Sequence, residues 1–290
     1  MAEQIAVIGA GLMGSAIATR LLGCGHSVTV FDIDAAKVAA LVDKGVHSAP
    51  SPAVAAQAAD FVILSLNHAD IVQKAVFAAH GIAEQANASK LLIDMSSIDP
   101  AATRRMAGEL AQTTGMHWVD CPLSGGVPGA LSGSLTVMAG GAPEDFERAR
   151  SVMQDLCANY TLMGPSGAGQ TTKLVNQLLC GVLFQAVAEA VKLAEAGGVD
   201  PAKIPACLAG GRADSRIMQE FMAKFAARDF SPTGSINNML KDLNSVQAFA
   251  LQAALALPVT HLVTDIQRLL VARGLGPADN SEVMRLLDGN

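Results

Sequence analysis

Lys173 and Asn176 stand three residues apart in a stretch of helical periodicity, so they share one helix face. That pairing suits proton transfer. Oxidising an alcohol by hydride removal requires taking the hydroxyl proton, and the reverse requires giving one to a carbonyl oxygen. A lysine does this when burial or neighbours lower its pKa, and an amide one turn away can orient it. Leu174, Val175, Leu178 and Leu179 make the surroundings apolar, and Gly167 and Gly169 permit close approach at the helix start. On the residues alone, Lys173 is equally a lysine on a solvated face. Ser124, Gly125 and Gly126 offer a hydroxyl and two unobstructed main-chain amides. Those groups suit a carboxylate, or simply make a glycine turn.

A third constellation is Gly9-Ala10-Gly11-Leu12-Met13-Gly14, a G-x-G-x-x-G run after a strand-like segment and before a helical one. The first glycine allows a tight turn, the second lets main chain approach a pyrophosphate, and the third lets helix and strand pack closely. The helix N-terminus then faces the anion. Asp32 ends the next strand-like run, close to the roughly 20-residue spacing that puts a carboxylate on a ribose. A carboxylate there accepts from ribose hydroxyls and repels a 2′-phosphate. No Arg stands nearby, only Lys37, so NAD is favoured and NADP is the alternative. Asp34 reads first as a helix N-cap.

These groups need elements to hold them. Apolar, β-branched runs at residues 5–9, 27–32, 61–66, 91–95, 117–120 and 135–139 alternate with helical patterns, which predicts βαβ units and a mostly parallel sheet. The character changes near Gly164-Pro165. Residues 168–196 form one long helical pattern stopped by Gly197-Gly198, and Asp200-Pro201 opens the next helical segment. Further helices are expected near 202–209, 214–227, 236–256, 259–273 and 281–287, with no strand after Met163. The expected architecture is an α/β Rossmann-type N-terminal domain plus an all-α C-terminal domain joined by a long helix, divided as 1–163 and 164–290. The first would bind NAD, and the second would serve substrate and oligomerisation. The active site is expected in the cleft between them.

Composition narrows the function classes. The 290 residues are 51% hydrophobic and 16% charged, too apolar for disorder at a net charge of -6. A pI near 5.5 disfavours nucleic-acid binding and attraction to an anionic membrane. The apolar stretch at 178–193 is interrupted by Gln185, Glu189 and Lys192 and reads as a buried helix, not a bilayer span. Five scattered cysteines without C-x-x-C, and no signal-peptide start, point to a reducing, cytoplasmic setting without disulfides. The six histidines make no metal-ligand pair, and no metal is expected. Cys121 has no His near it in sequence and reads as a small buried hydrophobe. A mean hydropathy of +0.35 suggests a surface covered in an oligomer.

Four motifs in order resemble the β-hydroxyacid dehydrogenases, the family of 3-hydroxyisobutyrate dehydrogenase and tartronate semialdehyde reductase, related to 6-phosphogluconate dehydrogenase. They are the glycine loop with Met13, then Asp120-Cys121-Pro122-Leu123-Ser124-Gly125-Gly126, then Gly167-Ala168-Gly169-Gln170-Thr171-Thr172-Lys173-Leu174-Val175-Asn176, and Lys241-Asp242-Leu243. Asp94-Met95-Ser96-Ser97 is a smaller match. The resemblance covers nearly the whole chain. It implies hydride transfer between NAD(P) and a short 3-hydroxy acid or its semialdehyde. Lys173 would be the acid/base, Asn176 its orienter, and Ser124, Gly125 and Gly126 would hold the small carboxylate substrate. Cofactor contacts are implied at Gly9, Ala10, Gly11, Leu12, Met13, Gly14, Asp32, Leu66, Asn67, Ser97 and Lys241. It also implies a homodimer or homotetramer. Residues 210–215 are similar to a stretch of the sugar-acid semialdehyde reductases, a slight tilt to hydroxylated acids. Two departures stand out: Asn67 replaces a common proline, and Pro232-Thr233-Gly234-Ser235 replaces a Gly-Phe pair beside the active site. The rival readings are a reductase of a different carbonyl or an imine, and a non-catalytic dinucleotide sensor.

Overall fold

The computed structural model describes residues 2–289. By internal contacts it divides into two compact units, residues 1–173 and 174–290. The first unit contains β1 (Gln4–Ile8), α1 (Leu12–Gly23), β2 (Ser27–Phe31), α2 (Ala35–Val42), β3 (His47–Ser48), α3 (Pro52–Gln57), β4 (Phe61–Leu64), α4 (Ala69–Phe77), β5 (Leu91–Asp94) and α5 (Pro100–Thr114). It continues with β6 (His117–Asp120), β7 (Leu123–Ser124), α6 (Gly126–Ser132), β8 (Leu135–Gly140), α7 (Pro143–Leu156) and β9 (Cys157–Gly164). The helix α8 (Ala168–Ala196) starts in this unit.

The sheet runs β3-β2-β1-β4-β5-β6, all parallel, then β8 antiparallel to β6 and β7 and parallel to β9. Its strands bury both faces. Ile5, Val7, Ile63 and Ile93 pack into one core, while Ala6, Ile8, Val62 and Leu92 pack into the other. That period-two division explains the unbroken apolar runs. Each Val, Leu or Ile among them contributes about 1.5–3 kcal/mol when removed from water. The strand order reverses between β1 and β4, which opens a crevice at their carboxyl ends, where ligands bind in doubly wound folds.

Strands β3, β7 and β9 were not among the expected ones. β3 and β7 have two residues each, too short for a hydrophobic pattern. β9 is half-exposed and pairs with β8 alone, so its sequence lacks the apolar run of a central strand.

By contacts, the sheet unit also takes in the start of α8, as far as Lys173. The Asp120 carboxylate, at the end of β6, accepts hydrogen bonds from Gly167 N (2.7 Å) and Gln170 N (2.9 Å). The opening turns of α8 are therefore fastened to the sheet. A Cβ on Gly169 would lie 2.4 Å from Met138 O, so only glycine allows that approach.

The second unit holds the rest of α8 with α9 (Ile204–Leu208), α10 (Arg216–Ala226), α11 (Ile236–Gln252), α12 (Pro258–Ala272) and α13 (Val283–Asp288). Among its described residues there is no strand, only an isolated bridge between Ser235 and Asp279. Val187 and Val191 of α8 pack with Met218, Met222 and Phe225 of α10, Leu270 of α12 and Met284 of α13. Phe184 meets Phe221 edge-on, with centroids 4.8 Å apart. By length and composition α8 is long and apolar enough to cross a bilayer. Its first turn is instead sealed to Asp120, and it carries Lys173, Gln185, Glu189 and Lys192.

Candidate active site

The glycine loop lies at the crevice. A Cβ on Gly14 would sit 1.8 Å from Gly9 O, and one on Gly9 would sit 2.4 Å from Ser65 O and 2.9 Å from Leu66 Cδ2. Protein packing alone thus demands these two glycines, and it brings Leu66 against the loop. Gly11 differs, because a Cβ there would meet no protein atom within 4 Å. It caps α1 without a side-chain hydrogen bond, as at α4, α6 and α7, whereas Asp34 caps α2, Ser51 caps α3 and Asp99 caps α5. The N-terminus of α1 thus retains amides for an anion, and Gly11 leaves space for one.

Asp32 closes the same loop. Its Oδ2 accepts from Ala10 N at 2.7 Å and its Oδ1 from Asp34 N at 2.8 Å. A carboxylate has about four acceptor positions, so two remain for hydroxyls. Asp34 accepts from Ala36 N as the N-cap of α2. Leu12 and Ile33 are almost fully exposed, Met13 packs on the core, and Asn67 is exposed at the loop after β4. These residues fit a dinucleotide: an uncapped helix end for the pyrophosphate and a carboxylate for the ribose.

The two serines after β5 separate. Ser96 is buried, and its Oγ accepts from Leu66 N at 3.1 Å, joining the loops after β4 and β5. Ser97 is half-buried. Beneath them, Asp94 accepts from Ser96 N at 3.0 Å, while its Oδ2 has no hydrogen-bond partner. Burial pushes the Asp94 carboxyl up to about 7; bonds from Ser96 oppose the rise, and the Asp120 charge adds to it. Burial also raises Asp120, against its main-chain hydrogen bonds. Cys121 is fully buried, which pushes its thiol well above the ordinary value, as befits an inert hydrophobe and not a nucleophile.

Lys173 Nζ donates to Leu123 O at 2.8 Å, the carbonyl immediately before Ser124. The structure therefore brings the acid/base candidate to the Ser-Gly-Gly loop, fifty residues away in sequence. Gly125 (φ +124°) and Gly126 (φ +62°) adopt conformations that favour glycine, so the turn alone accounts for both. Both are exposed, and Ser124 is half-buried.

In the second unit, Asn176 Nδ2 donates to Gln177 Oε1 at 2.8 Å, and Gln177 Nε2 donates to Asp242. Asp242 also pairs with Lys241 at 3.2 Å. The segment 232–235 that replaces the Gly-Phe pair is held by Asp279, which accepts from Thr233 Oγ1 at 2.7 Å and Gly234 N at 3.0 Å. Motif reading picked out Lys173, Asn176 and Ser97 but not Asp94, Ser96, Asp120 or Gln170. The usable signal was four polar residues inside otherwise apolar or glycine-rich motifs.

A Rossmann sheet with an anion-ready glycine loop, and a lysine held at a Ser-Gly-Gly turn, define a dinucleotide-dependent oxidoreductase. Residues 4–164 match the family profile described as the NAD binding domain of 6-phosphogluconate dehydrogenase. Residues 167–287 match the NAD-binding profile of NADP-dependent 3-hydroxyisobutyrate dehydrogenase. The chain is 32% identical to 2-hydroxy-3-oxopropionate reductase of Escherichia coli, over 98% of this chain and 97% of that one. It is 34% identical to NAD-dependent L-serine dehydrogenase of Pseudomonas aeruginosa, over 99% and 98%. The solved structure of Mycobacterium tuberculosis 3-hydroxyisobutyrate dehydrogenase with L-serine is similar at a TM-score of 0.89 and 28% identity, covering 99% of both chains. The chain belongs to the β-hydroxyacid dehydrogenase family, whose members are NAD(P)-dependent and act on CH–OH groups.

Proposed function

We propose that this enzyme interconverts a short 3-hydroxy acid and its semialdehyde, with NAD favoured over NADP and Lys173 as general acid/base. When bound, the nicotinamide dinucleotide supplies the hydride acceptor or donor. The chain does the rest. Lys173 Nζ takes the proton from the substrate hydroxyl in oxidation and returns one to the carbonyl oxygen in reduction. Asn176, one turn further on, orients Lys173. Ser124, Gly125 and Gly126 hold the carboxylate by a hydroxyl and main-chain amides. The observation that carries this reading is the 2.8 Å bond from Lys173 Nζ to Leu123 O, which supports an ammonium poised beside the carboxylate loop.

Asp32 supports the NAD preference, since its charge opposes a 2′-phosphate. We assign Leu12, Met13, Leu66, Asn67, Ser97 and Lys241 to the dinucleotide as well. The relatives named for 2-hydroxy-3-oxopropionate and L-serine share a three-carbon acid with an oxygen function at C3, which supports a substrate of that size. All five cysteines are free thiols, which supports a cytoplasmic setting. Leu193, Val199 and Leu208 are exposed around an apolar groove of the second unit, which supports a homodimer or homotetramer.

A panel of 3-hydroxy acids with NAD and NADP, and of semialdehydes with NADH and NADPH, tests the proposal by nicotinamide absorbance. The expected result is turnover on at least one three- or four-carbon member, faster with NAD. Tight dinucleotide binding without turnover on any member would favour a sensor. Activity only on imines or on other carbonyls would favour a different reductase.

A further inference from the structure

We propose that Gln170 is a positioning residue that locks the loop carrying Ser97 to the helix carrying Lys173. Its kinetic consequence rests on the function proposed above, whereas its structural consequence does not. Gln170 lies in the first turn of α8, three residues before Lys173, and is 1% exposed. Its carboxamide spends both ends on the loop after β5. Nε2 donates to Ser96 O at 2.8 Å, and Oε1 accepts from Ile98 N at 3.1 Å. The two bonds bracket Ser97 and hold its main chain on either side.

The partners dictate the residue type. A main-chain carbonyl only accepts and an N–H only donates, so the side chain must present one donor and one acceptor about a carboxamide apart. The reach is equally restricted. Gln170's own N–H is held by Asp120 Oδ2, so its Cα cannot drift from the sheet. Ser96 Oγ in turn accepts from Leu66 N. The carboxamide therefore ties the loop after β5 to α8, Ser96 Oγ ties that loop to the one after β4 with Leu66, and the main-chain N–H of Gln170 separately ties α8 to Asp120 at the end of β6. On the function proposed above Ser97 meets the dinucleotide and Lys173 the substrate oxygen, and Gln170 ties the loop carrying the first to the helix carrying the second. A displacement near 1 Å at such a site costs about 100-fold in rate.

The experiment compares the full-length wild type with Gln170→Met, which keeps the length and loses both bonds, and Gln170→Glu, which keeps the acceptor. Without cofactor or substrate, amide exchange of a peptide covering residues 95–99 is expected to quicken about 10-fold in Gln170→Met, with residues 4–8 unchanged. With the best panel substrate, kcat is expected to fall about 10- to 100-fold while the KM for the hydroxy acid, assigned to Ser124, Gly125 and Gly126, stays within about 3-fold. In Gln170→Glu, kcat is expected to recover toward low pH, because a protonated carboxyl again offers a donor and an acceptor. If Gln170→Met does not fold, Gln170→Glu carries the same readouts.

Unchanged exchange at 95–99 would overturn the proposal. Faster exchange with unchanged kcat would also overturn it, reducing Gln170 to a structural residue. If the wild type turns over nothing on the panel, the kinetic part of the proposal falls with the substrate reading, and faster exchange upholds only the tie between Gln170 and the loop.

Discussion

A lysine in water keeps its proton at neutral pH and makes a poor base, so the value of Lys173 depends on where its ammonium is held. The bond to Leu123 O places it at a carbonyl beside two exposed glycines. Replacing it should lower kcat without loosening the dinucleotide. Lys173→Ala is expected to lose about 100- to 10,000-fold in kcat, the usual worth of a general acid/base, with the NADH dissociation constant nearly unchanged by fluorescence titration. Full activity in that variant would sink the assigned role. Asp32 fastens Ala10 N, and we propose that its charge also opposes a 2′-phosphate. Asp32→Asn keeps an acceptor and removes the charge. Its NAD over NADP ratio in kcat/KM is expected to drop about 10-fold, the equivalent of 1.4 kcal/mol, and an unchanged ratio would move selectivity elsewhere.

Asp94 makes a prediction about pH. Its carboxyl is raised from 3.8 to about 7 in the folded chain by burial. Below 3.8 both states are protonated. Between these values the unfolded chain has released its proton and the folded chain retains it, so stability falls as pH rises, by about 1.4 kcal/mol per unit from this group. Above 7 the loss is complete and constant. Urea titrations of wild type and Asp94→Asn at pH 5, 6, 7 and 8 should show the variant gaining on the wild type up to pH 7. Parallel stability curves would refute it.

In the strand–turn–helix of β1 and α1, packing demands Gly9 and Gly14, whereas Gly11 has open space beside it and is the glycine we propose for the pyrophosphate. Gly14→Ala drives a Cβ into Gly9 O, a main-chain atom that cannot move aside cheaply. It is expected to cost about 3 kcal/mol or more and to lower the thermal midpoint by many degrees. Gly11→Ala meets no protein atom. Its stability should change by less than about 0.5 kcal/mol, while dinucleotide affinity falls about 10-fold or more. Equal affinity in Gly11→Ala and wild type, by calorimetric titration, would remove the pyrophosphate from this loop. The helix α8 shows the same division of labour. Its apolar periodicity and its Gly197-Gly198 stop were legible in the chain, and both appear, with Gly198 at φ +72°. What the pattern did not disclose is that its first turn belongs to the sheet unit. A Cβ on Gly140 would lie 2.7 Å from Asp120 Oδ1 and Gly169 N, and one on Gly169 2.4 Å from Met138 O and 2.7 Å from Asp120 O, so the close approach of sheet and helix requires both glycines.

For the assembled molecule, the exposed apolar side chains of the second unit argue for association. Leu193 is 77% exposed on α8, beside Val199 and Leu208. Light scattering behind size exclusion should give a dimer or tetramer for the wild type and a smaller mass for Leu193→Glu. A monomeric wild type would overturn this reading.

The same division runs through the whole chain. Glycine spacing, the acid after the second strand, period-two burial and the three-residue step from Lys173 to Asn176 all lie in local order. The fold class and most candidate residues follow from such short-range constraints of backbone geometry and side-chain period. Ala10 with Asp32, Ser96 with Gln170, and Lys173 with Leu123 are partners 22, 74 and 50 residues apart. The two-residue strands, the fastening of the first turn of α8 to Asp120 and the buried roles of Asp94, Asp120 and Gln170 come from pairings of that kind. No periodicity encodes them, because a buried polar group takes its meaning from whichever donor or acceptor the folded chain carries to it.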